Sequence, residues 1–301
     1  MAFVDIIAIC WNYERYLPQF IESLHAQSNQ DFRVLFYDNN STDESKAVAK
    51  RLFDTFNINY LIISRPKSYY VSANINYVLN NYTTADWIMI ISVDDWLGPD
   101  AIKNRIQYVH SNLSTKILLS NCVIYYENEN KLEYRDFDYN KLKEPILDKL
   151  VLGNFFNAPG SFINKLFLQQ LGGFDEDLTY EDWDMWIRVI KNGYKIDVLD
   201  DKMIFYRRHS KSITAVQDMK FYLALKETLD KHKDVQTYKK AIQLNKYYTL
   251  FYPIDMSNNL GFLQRLYYFC KLRFWHSQYF LQLGRFCYHY LFQKKKTDIT
   301  N

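Results

Sequence analysis

Glycine, proline and cysteine are all scarce in this chain, which has 8, 6 and 4 of them among 301 residues. So few glycines, together with an aromatic fraction of 18%, exclude a low-complexity or disordered chain. No glycine follows the first strand-like segment, where a glycine-rich phosphate loop would begin; Trp11 to Arg15 occupy that position. A nucleotidyltransferase is one enzyme class to consider for this sequence, but it would need such a loop. The absence of the loop argues against that class.

The four cysteines are Cys10, Cys122, Cys270 and Cys287. None stands at metal-ligand spacing from another, and the first two lie within apolar, strand-like segments. We therefore expect buried free thiols in a reducing compartment rather than disulfides or a zinc site.

Long apolar segments are also missing. No uncharged segment approaches the length of a membrane span, and the N-terminus enters a strand without the basic start of a signal peptide. The net charge of +3 is too small to imply a nucleic-acid partner. The sequence predicts a cytoplasmic protein with one large domain, or one domain plus an appendage.

The first third of the chain alternates between strand and helix patterns. Strands are predicted at residues 4–10, 33–37, 60–64 and 87–91, and helices at 17–26, from about 41 to 56, and at 71–80. Ser41 or Thr42 is placed to cap the second helix. This order predicts an α/β fold with a parallel sheet and right-handed crossovers.

The rest of the chain has a more mixed pattern. We predict a helix from Pro99 to about residue 110, a strand at 116–126, and a hairpin or loop at 127–144. Further on we predict a turn at 157–161, helices at 164–171 and 181–192, short strands at 195–199 and 203–206, and a helix at 221–232.

An acidic pair, Asp94 and Asp95, follows the apolar strand 87–91. Open α/β sheets bind ligands at the carboxyl ends of their strands. Because two adjacent anions repel each other unless a cation compensates them, the pair suggests Mg²⁺ or Mn²⁺ holding a phosphate ligand. A plain strand followed by an Asx turn or a helix cap is the alternative.

Two other strand ends are predicted to share this edge. Asp38 ends the second strand and is free to accept hydrogen bonds from a base or ribose, and Trp11 after the first strand could stack on a base. A core or lid aromatic is the alternative role for Trp11.

A second acidic cluster runs from Tyr180 to Asp184, after a loop with two glycines. Glu181 and Asp182 open a helix, where the dipole stabilises anions, so simple helix capping competes with a general base. His209 is predicted to complete a metal shell or contact phosphate, unless it is structural.

These pieces together resemble the family 2 glycosyltransferases, inverting nucleotide-sugar enzymes of the GT-A fold. The resemblance spans about residues 4–214 and keeps the family's order. The matching segments are Cys10-Trp11-Asn12-Tyr13, Tyr37-Asp38-Asn39-Asn40-Ser41-Thr42-Asp43, Ser92-Val93-Asp94-Asp95, Gly172-Gly173-Phe174-Asp175-Glu176, Tyr180-Glu181-Asp182-Trp183-Asp184 and Tyr206-Arg207-Arg208-His209.

The resemblance implies a role for each matching position. Asp182 would be the general base. The nucleotide would be bound by Trp11, Tyr13, Asp38 and Asp94, and Mn²⁺ or Mg²⁺ by Asp95 and His209. The acceptor pocket would contain Asn157, Pro159, Gly160, Ser161, Glu181 and Trp183.

The chain also departs from the family. Ser92 and Asn39 stand where the family often has Asp, and the Gln-x-x-Arg-Trp motif of processive members is absent. The resemblance implies transfer of one sugar, with UDP as the commonest donor nucleotide, to a glycan or lipid-linked acceptor in bacterial surface-glycan synthesis. A nucleotide-sugar-binding module without catalysis is the non-enzymatic alternative, and the sequence leaves an oligomer open.

The predicted domain organisation is a catalytic domain at 1–215, with a nucleotide-binding half at 1–98 and an acceptor half at 99–215, followed by a helical extension at 216–301. Residues 256–297 contain no acidic residue and interleave basic with aromatic side chains. This composition suits peripheral contact with the inner face of the cell membrane. A helical bundle packed on the catalytic domain or on a dimer partner is the alternative.

Overall fold

The computed structural model describes residues 2–209 and 219–245. Internal contacts divide the chain into two compact units, Met1–Ala215 and Val216–Asn301. Within the described ranges, no helix has both the length and the apolar character needed to cross a bilayer.

The first four strands form a parallel sheet, as the alternating pattern predicts. The strands are β1 (Val4–Cys10), β2 (Phe32–Asp38), β3 (Tyr60–Ser64) and β4 (Trp87–Ser92), in the order β3-β2-β1-β4. The helices between them are α1 (Leu17–His25), α2 (Ser45–Thr55) and α3 (Val71–Asn81). The predicted α/β fold is confirmed.

The core of this half follows from the periodicity of its elements. Every residue of β1 is buried, as expected of a central parallel strand covered on both faces. The apolar residues of α1 recur at helical spacing on one face, and Leu17, Phe20, Ile21 and Leu24 are all fully buried. Burial of each such side chain contributes roughly 1.5–3 kcal/mol, which holds the helix on the sheet.

The second half of the first unit extends the sheet with mixed strands. The elements are β5 (Trp96–Leu97), α4 (Ala101–Ser111), β6 (Ile117–Tyr126), β7 (Lys131–Tyr134), α5 (Ile146–Leu152), β8 (Ser161–Asn164), α6 (Lys165–Gln170), α7 (Glu181–Lys191) and β9 (Asp197–Arg208). The sheet continues from β4 as β8-β6-β9-β5, with β7 paired to β6. Strands β6 and β9 are parallel, whereas β8 runs antiparallel to both β4 and β6.

The sequence prediction was wrong about one strand and missed three short elements. The two short strands at 195–199 and 203–206 are one strand, β9, with an irregularity opposite Ser120 and Cys122. Strands β5 and β8 and helix α5 were not predicted. They are short, and the strands exist only through pairing with distant partners, which local periodicity does not reveal.

Neither Ser41 nor Thr42 caps α2. The helix begins four residues after Ser41, and the Asp43 carboxylate accepts a hydrogen bond from the N–H of Ser45. Ser41 instead accepts from the N–H of Asn12, and the N–H of Thr42 donates to the Asn12 side chain. These side chains join the loops after β1 and β2, which border the candidate site.

Cys10 and Cys122 are buried and free, as predicted. In the second unit, the structure describes helix α8 (Met219–Asp230) in the region of the predicted helix 221–232. Cys270, Cys287 and the basic and aromatic segment 256–297 lie outside the described residues.

Candidate active site

The carboxyl ends of β1, β2 and β4 meet at one edge of the sheet. Cys10 pairs with Asp38, and Ile9 pairs with Ser92, so the three strands end side by side. The N–H of Val93 donates to the carbonyl of Ile9 (3.1 Å), which continues this pairing into the turn that carries Asp94 and Asp95. The predicted convergence of the three strand ends is confirmed.

Asp38 is buried at this edge, with 5% of its surface exposed. Its Oδ2 accepts a hydrogen bond from the N–H of Ser41 at 3.3 Å, whereas its Oδ1 is buried without a hydrogen-bond partner. Leaving a buried carboxylate oxygen unsatisfied is unfavourable, so Asp38 is ready to accept a hydrogen bond from a ligand.

Asp94 has the same property. Its Oδ2 lies 3.1 Å from Nε2 of His209, and its Oδ1 is buried without a partner. His209 follows β9, so the contact joins residues 115 positions apart at one point. The structure thus brings together two of the predicted site residues.

Asp95 is also buried, and its Oδ1 accepts a hydrogen bond from the N–H of Arg207 at 2.8 Å. Burial, together with the charge of Asp94, raises the pKa of Asp95 well above its ordinary value. A nearby divalent cation would relieve this penalty by favouring the ionised form.

The residues at this edge fit a metal that is shared with a phosphate ligand. Among residues 2–209 and 219–245, no three His, Cys, Asp or Glu side chains are gathered closely enough to hold an ion by themselves. The carboxylate of Asp95 nevertheless supplies an oxygen donor of the kind that Mg²⁺ and Mn²⁺ prefer, and the imidazole of His209, beside Asp94, is a nitrogen donor. Since Mg²⁺ keeps several water or phosphate ligands, one or two carboxylates suffice.

Aromatic side chains surround His209. The ring of Tyr13 meets it edge-on at 6.0 Å between centroids, and the ring of Tyr16 lies at 5.3 Å. Burial, Asp94 and Asp95 all raise the pKa of Tyr13, so its hydroxyl stays protonated and can donate a hydrogen bond. A pocket of about 680 Å³ opens beside Tyr13 and His209.

Trp11 directly follows β1 at this edge of the sheet, and 54% of its surface is exposed. The next residue, Asn12, has a left-handed backbone (φ 56°), and its side chain is held by the loop after β2. A ring that is exposed on an anchored loop is available for stacking on a ligand.

The loop after β3 is tied to the Asp38 region by an amide clamp. The Asn39 side chain accepts from the N–H of Tyr69 (2.9 Å) and donates to its carbonyl (3.0 Å). Only an amide can make both bonds, since a carboxylate cannot donate. This explains locally why Asn serves at position 39. Nearby, the guanidinium of Arg65 stacks on Tyr69 at 3.5 Å and donates to the hydroxyl of Tyr37.

Glu181 and Asp182 lie at the first turn of α7 and are half-buried. The Asn154 side chain donates to Oδ2 of Asp182 at 3.0 Å. Burial raises the pKa of Asp182 above its ordinary value, while the bonds from Trp183 and Asn154 oppose that rise. Burial, and then the charge of Asp182, raises the pKa of Glu181. Raised pKa values suit carboxylates that exchange protons near neutral pH.

The loop before α7 is held from two sides. The Asn76 side chain accepts from the N–H of Phe174 (2.9 Å) and donates to its carbonyl (2.8 Å). A Cβ at Gly173 would lie 2.5 Å from the Asn76 oxygen, and φ there is +73°, so only glycine fits. Arg188 donates to the carbonyl of Gly173 from the other side. These bonds fix where α7 begins and hence where Asp182 stands.

The turn at 157–161 lies beside the end of β4, because the N–H of Gly160 donates to the carbonyl of Ile90 at 2.9 Å. Asn157 and Pro159 are half-buried there, whereas Ser161 is buried. The bond places this turn beside the strand that leads to the acidic pair. Trp183 is 4% exposed, and its indole N–H donates to the carbonyl of Leu150, so this predicted acceptor residue packs in the interior.

Sequence reasoning missed four residues that hold the site: Tyr16, Arg65, Asn154 and Arg207. Arg207 belongs to the motif ending at His209, which was the one available signal. For the others, the contacts depend on partners far along the chain, and nothing in their local pattern indicates them.

The family of this chain is identified by comparison with known protein families. The model of the family described as glycosyl transferase family 2 matches residues 5–166, which is more than half of the chain. The chain belongs to glycosyl transferase family 2. Family 2 membership does not favour the nucleotidyltransferase alternative.

Curated relatives agree with the family 2 assignment. An uncharacterised glycosyltransferase of Methanocaldococcus jannaschii, MJ1057, is 24% identical over 207 residues, covering 68% of this chain and 70% of the relative. The amylovoran biosynthesis glycosyltransferase AmsE of Erwinia amylovora is 25% identical over 229 residues, covering 70% and 82%.

Solved structures show the same fold. TarS residues 1–349 of S. aureus, solved with UDP-GlcNAc, has a TM-score of 0.63 at 17% identity, covering 96% of this chain and 81% of that one. The mannosyltransferase PcManGT of Pyrobaculum calidifontis, solved with GDP-Man and Mn²⁺, also scores 0.63 at 14% identity, covering 97% and 88%. At these identities the likeness establishes the GT-A fold of the family 2 chain.

Proposed function

We propose that the protein is an inverting glycosyltransferase that moves one sugar from a nucleotide diphosphate sugar to a hydroxyl of a glycan or lipid-linked acceptor. The observation that carries this proposal is the pair of buried, unpartnered carboxylate oxygens on Asp38 and Asp94, at one edge of the parallel sheet. A nucleotide supplies matching donors, an N–H of the base for Asp38 and a ribose hydroxyl for Asp94.

The two halves of residues 1–215 have separate binding roles in this proposal. Residues 1–98 bind the nucleotide, and residues 99–215 bind the acceptor through the turn at 157–161 and the start of α7. Asp95 and His209 would hold Mn²⁺ or Mg²⁺, with the diphosphate as the remaining ligand. When bound, the metal neutralises charge that develops on the leaving diphosphate.

The reaction is one in-line displacement at the anomeric carbon. The acceptor oxygen forms a bond to that carbon while the bond to the diphosphate breaks, and the diphosphate leaves with the electron pair. Asp182 takes the acceptor proton. The configuration inverts because attack comes from the face opposite the nucleotide.

The proposed substrates follow from the names and bound ligands of the relatives. AmsE is named for amylovoran biosynthesis, which supports a role in surface-polysaccharide synthesis. The solved neighbours hold UDP-GlcNAc in one case and GDP-Man with Mn²⁺ in the other. UDP, the commonest nucleotide of the family, is the first donor nucleotide to test.

The proposal is tested by thermal-shift screening of UDP-, dTDP- and GDP-sugars, each with and without Mn²⁺, followed by assay of donor hydrolysis. We expect one nucleotide class to raise the melting temperature, with a larger rise in Mn²⁺ and slow hydrolysis of the best donor. The absence of any shift or hydrolysis across the panel would refute the assignment.

Trp11 provides a direct report on the base site. We expect UDP to quench tryptophan fluorescence in the wild-type protein and not in Trp11→Phe, because this exposed ring is placed to stack on the base. Trp87→Phe is the matched control, since Trp87 begins β4 at the opposite end of the strand and stacks on Phe162. Quenching that survives in Trp11→Phe would assign the signal to another tryptophan, such as Trp96.

The segment 256–297 is proposed to contact the membrane, on the strength of its composition alone. Seven basic residues stand among aromatic ones there, and each basic residue near an anionic surface contributes about 1 kcal/mol. We expect the full chain to sediment with anionic liposomes and not with neutral ones, and a chain ending near Asp255 to stay in solution. If neither form binds and the shortened chain is insoluble, the segment belongs to a core or a subunit interface.

A further inference from the structure

Arg207 is a buried arginine near the end of β9, with 5% of its surface exposed. Its guanidinium lies against three aromatic rings, at 4.7 Å from Tyr16, 4.8 Å from Trp96 and 5.1 Å from Tyr125. Its Nη1 lies 3.5 Å from Oε1 of Glu127, and its Nη2 donates to the side-chain oxygen of Gln19. The rings and the carboxylate together compensate for removing this charge from water.

The same residue makes two bonds to the acidic turn after β4. Its backbone N–H donates to Oδ1 of Asp95 at 2.8 Å, and its side-chain Nε donates to the backbone carbonyl of Asp94 at 2.7 Å. These two bonds, called here the Arg207 clamp, hold one carboxylate directly and the peptide that carries the other. His209, two residues further along, then meets Asp94 at 3.1 Å.

We infer that Arg207 is a positioning residue for the metal and diphosphate edge of the site. It locks β9 against the turn, so that Asp95 presents its second oxygen and Asp94 stays within reach of His209. This inference rests on the proposed function. Partners that orient metal ligands in this way commonly change metal affinity by 10- to 100-fold when they are removed, and a shift of about 1 Å in a reacting group can slow a reaction about 100-fold.

Any substitution other than proline keeps the backbone N–H that donates to Asp95, so the side-chain bond to Asp94 can be removed separately from it. The guanidinium's contacts to Glu127 and Gln19 are removed at the same time. Arg207→Met keeps an unbranched apolar stem among the three rings and removes the Nε donor to Asp94. Arg208→Met is the matched control, because Arg208 is the adjacent residue, is exposed, and has its guanidinium 5.9 Å from the ring of Tyr206. Arg207→Lys retains the charge and provides an intermediate case.

Two measurements distinguish positioning from simple packing. The first is the Kd of Mn²⁺ in the presence of UDP, by titration calorimetry, and the second is the amide hydrogen exchange of residues 92–97. For Arg207→Met we expect a Kd raised by about 10- to 100-fold and faster exchange in that segment. Arg207→Lys should fall between this variant and the wild type, and Arg208→Met should stay within about two-fold of the wild type.

A lower melting temperature in Arg207→Met, with unchanged Mn²⁺ affinity and unchanged exchange at 92–97, would overturn the inference and leave Arg207 as a packing residue. Equal effects in Arg208→Met would overturn it as well, because a general loss of positive charge would then explain the result. If the wild-type protein with UDP takes no Mn²⁺, the metal site of the proposed function fails. The exchange data alone then decide whether Arg207 holds the turn.

Discussion

Replacing Asp182 with Asn is expected to lower sugar transfer by about 10²- to 10⁴-fold, the range typical of a lost general base. Nucleotide affinity should be unchanged, because Asp182 stands at the start of α7 and its side chain is bonded to Asn154 rather than to the nucleotide edge. Asn is nearly isosteric with Asp and removes only the basic oxygen. The measurement is kcat for transfer beside the Kd of UDP.

Asp177→Asn is the control for this prediction, since Asp177 is an exposed carboxylate on the loop that leads to α7. It should leave both kcat and the UDP affinity unchanged. Equal losses of UDP affinity and turnover in Asp182→Asn would make Asp182 a binding or folding residue instead of the base.

The pH dependence of kcat/KM should also be controlled by Asp182. Because burial raises the pKa of Asp182, the acid limb of kcat/KM should lie above the ordinary Asp value of about 3.9, with activity lost as pH falls through it. The Asn154 bond favours the ionised form, so Asn154→Ala should move that limb to still higher pH. An acid limb unmoved by Asn154→Ala would indicate that another group controls it.

Replacing Asp95 with Asn is expected to have opposite effects on activity and stability. Mn²⁺ activation should be lost, with activity down by about 100-fold, because the proposed metal would lose its carboxylate ligand. The melting temperature of the metal-free protein should rise at pH 7. The Asn oxygen still accepts from the N–H of Arg207, while the buried charge beside Asp94 disappears.

The sign of this stability effect depends on pH. A buried Asp whose pKa is raised in the folded state destabilises the protein as pH climbs from the unfolded value of about 3.9 through the folded value. The advantage of Asp95→Asn should therefore be present at pH 7 and absent below pH 3.9. Asp86→Asn, at an exposed position just before β4, should show neither effect. Full wild-type activity in excess EDTA would refute the metal requirement.

The acidic positions at the sheet edge could be predicted because their information is local. An apolar strand that stops at Asp38, or just before Asp94 and Asp95, is visible within a window of ten residues. Parallel strands with right-handed crossovers must then bring their carboxyl ends to one edge. The sequence alone therefore predicts three carboxylates at one edge of the sheet.

The contacts that orient those carboxylates could not be predicted in the same way. Arg207 and Asp95 are 112 residues apart, and His209 and Asp94 are 115 apart. Asn154 follows α5 and reaches Asp182 only because α5 packs near α7. Helix α5 was not predicted from the sequence. Short elements such as α5 and β5 carry little periodic signal, and their existence depends on distant partners.

The sequence by itself thus determined the α/β order, the covered face of α1, and the positions of the carboxylates that are proposed to bind nucleotide and metal. Periodicity and strand-end polarity are properties of neighbouring residues, and they survive without tertiary context. Tertiary structure alone decided that Asp38 and Asp94 each keep a buried oxygen without a partner, that Asn39 clamps Tyr69, and that Arg207 holds the acidic turn. Burial and the pairing of polar groups arise only when segments far apart in the chain come into contact.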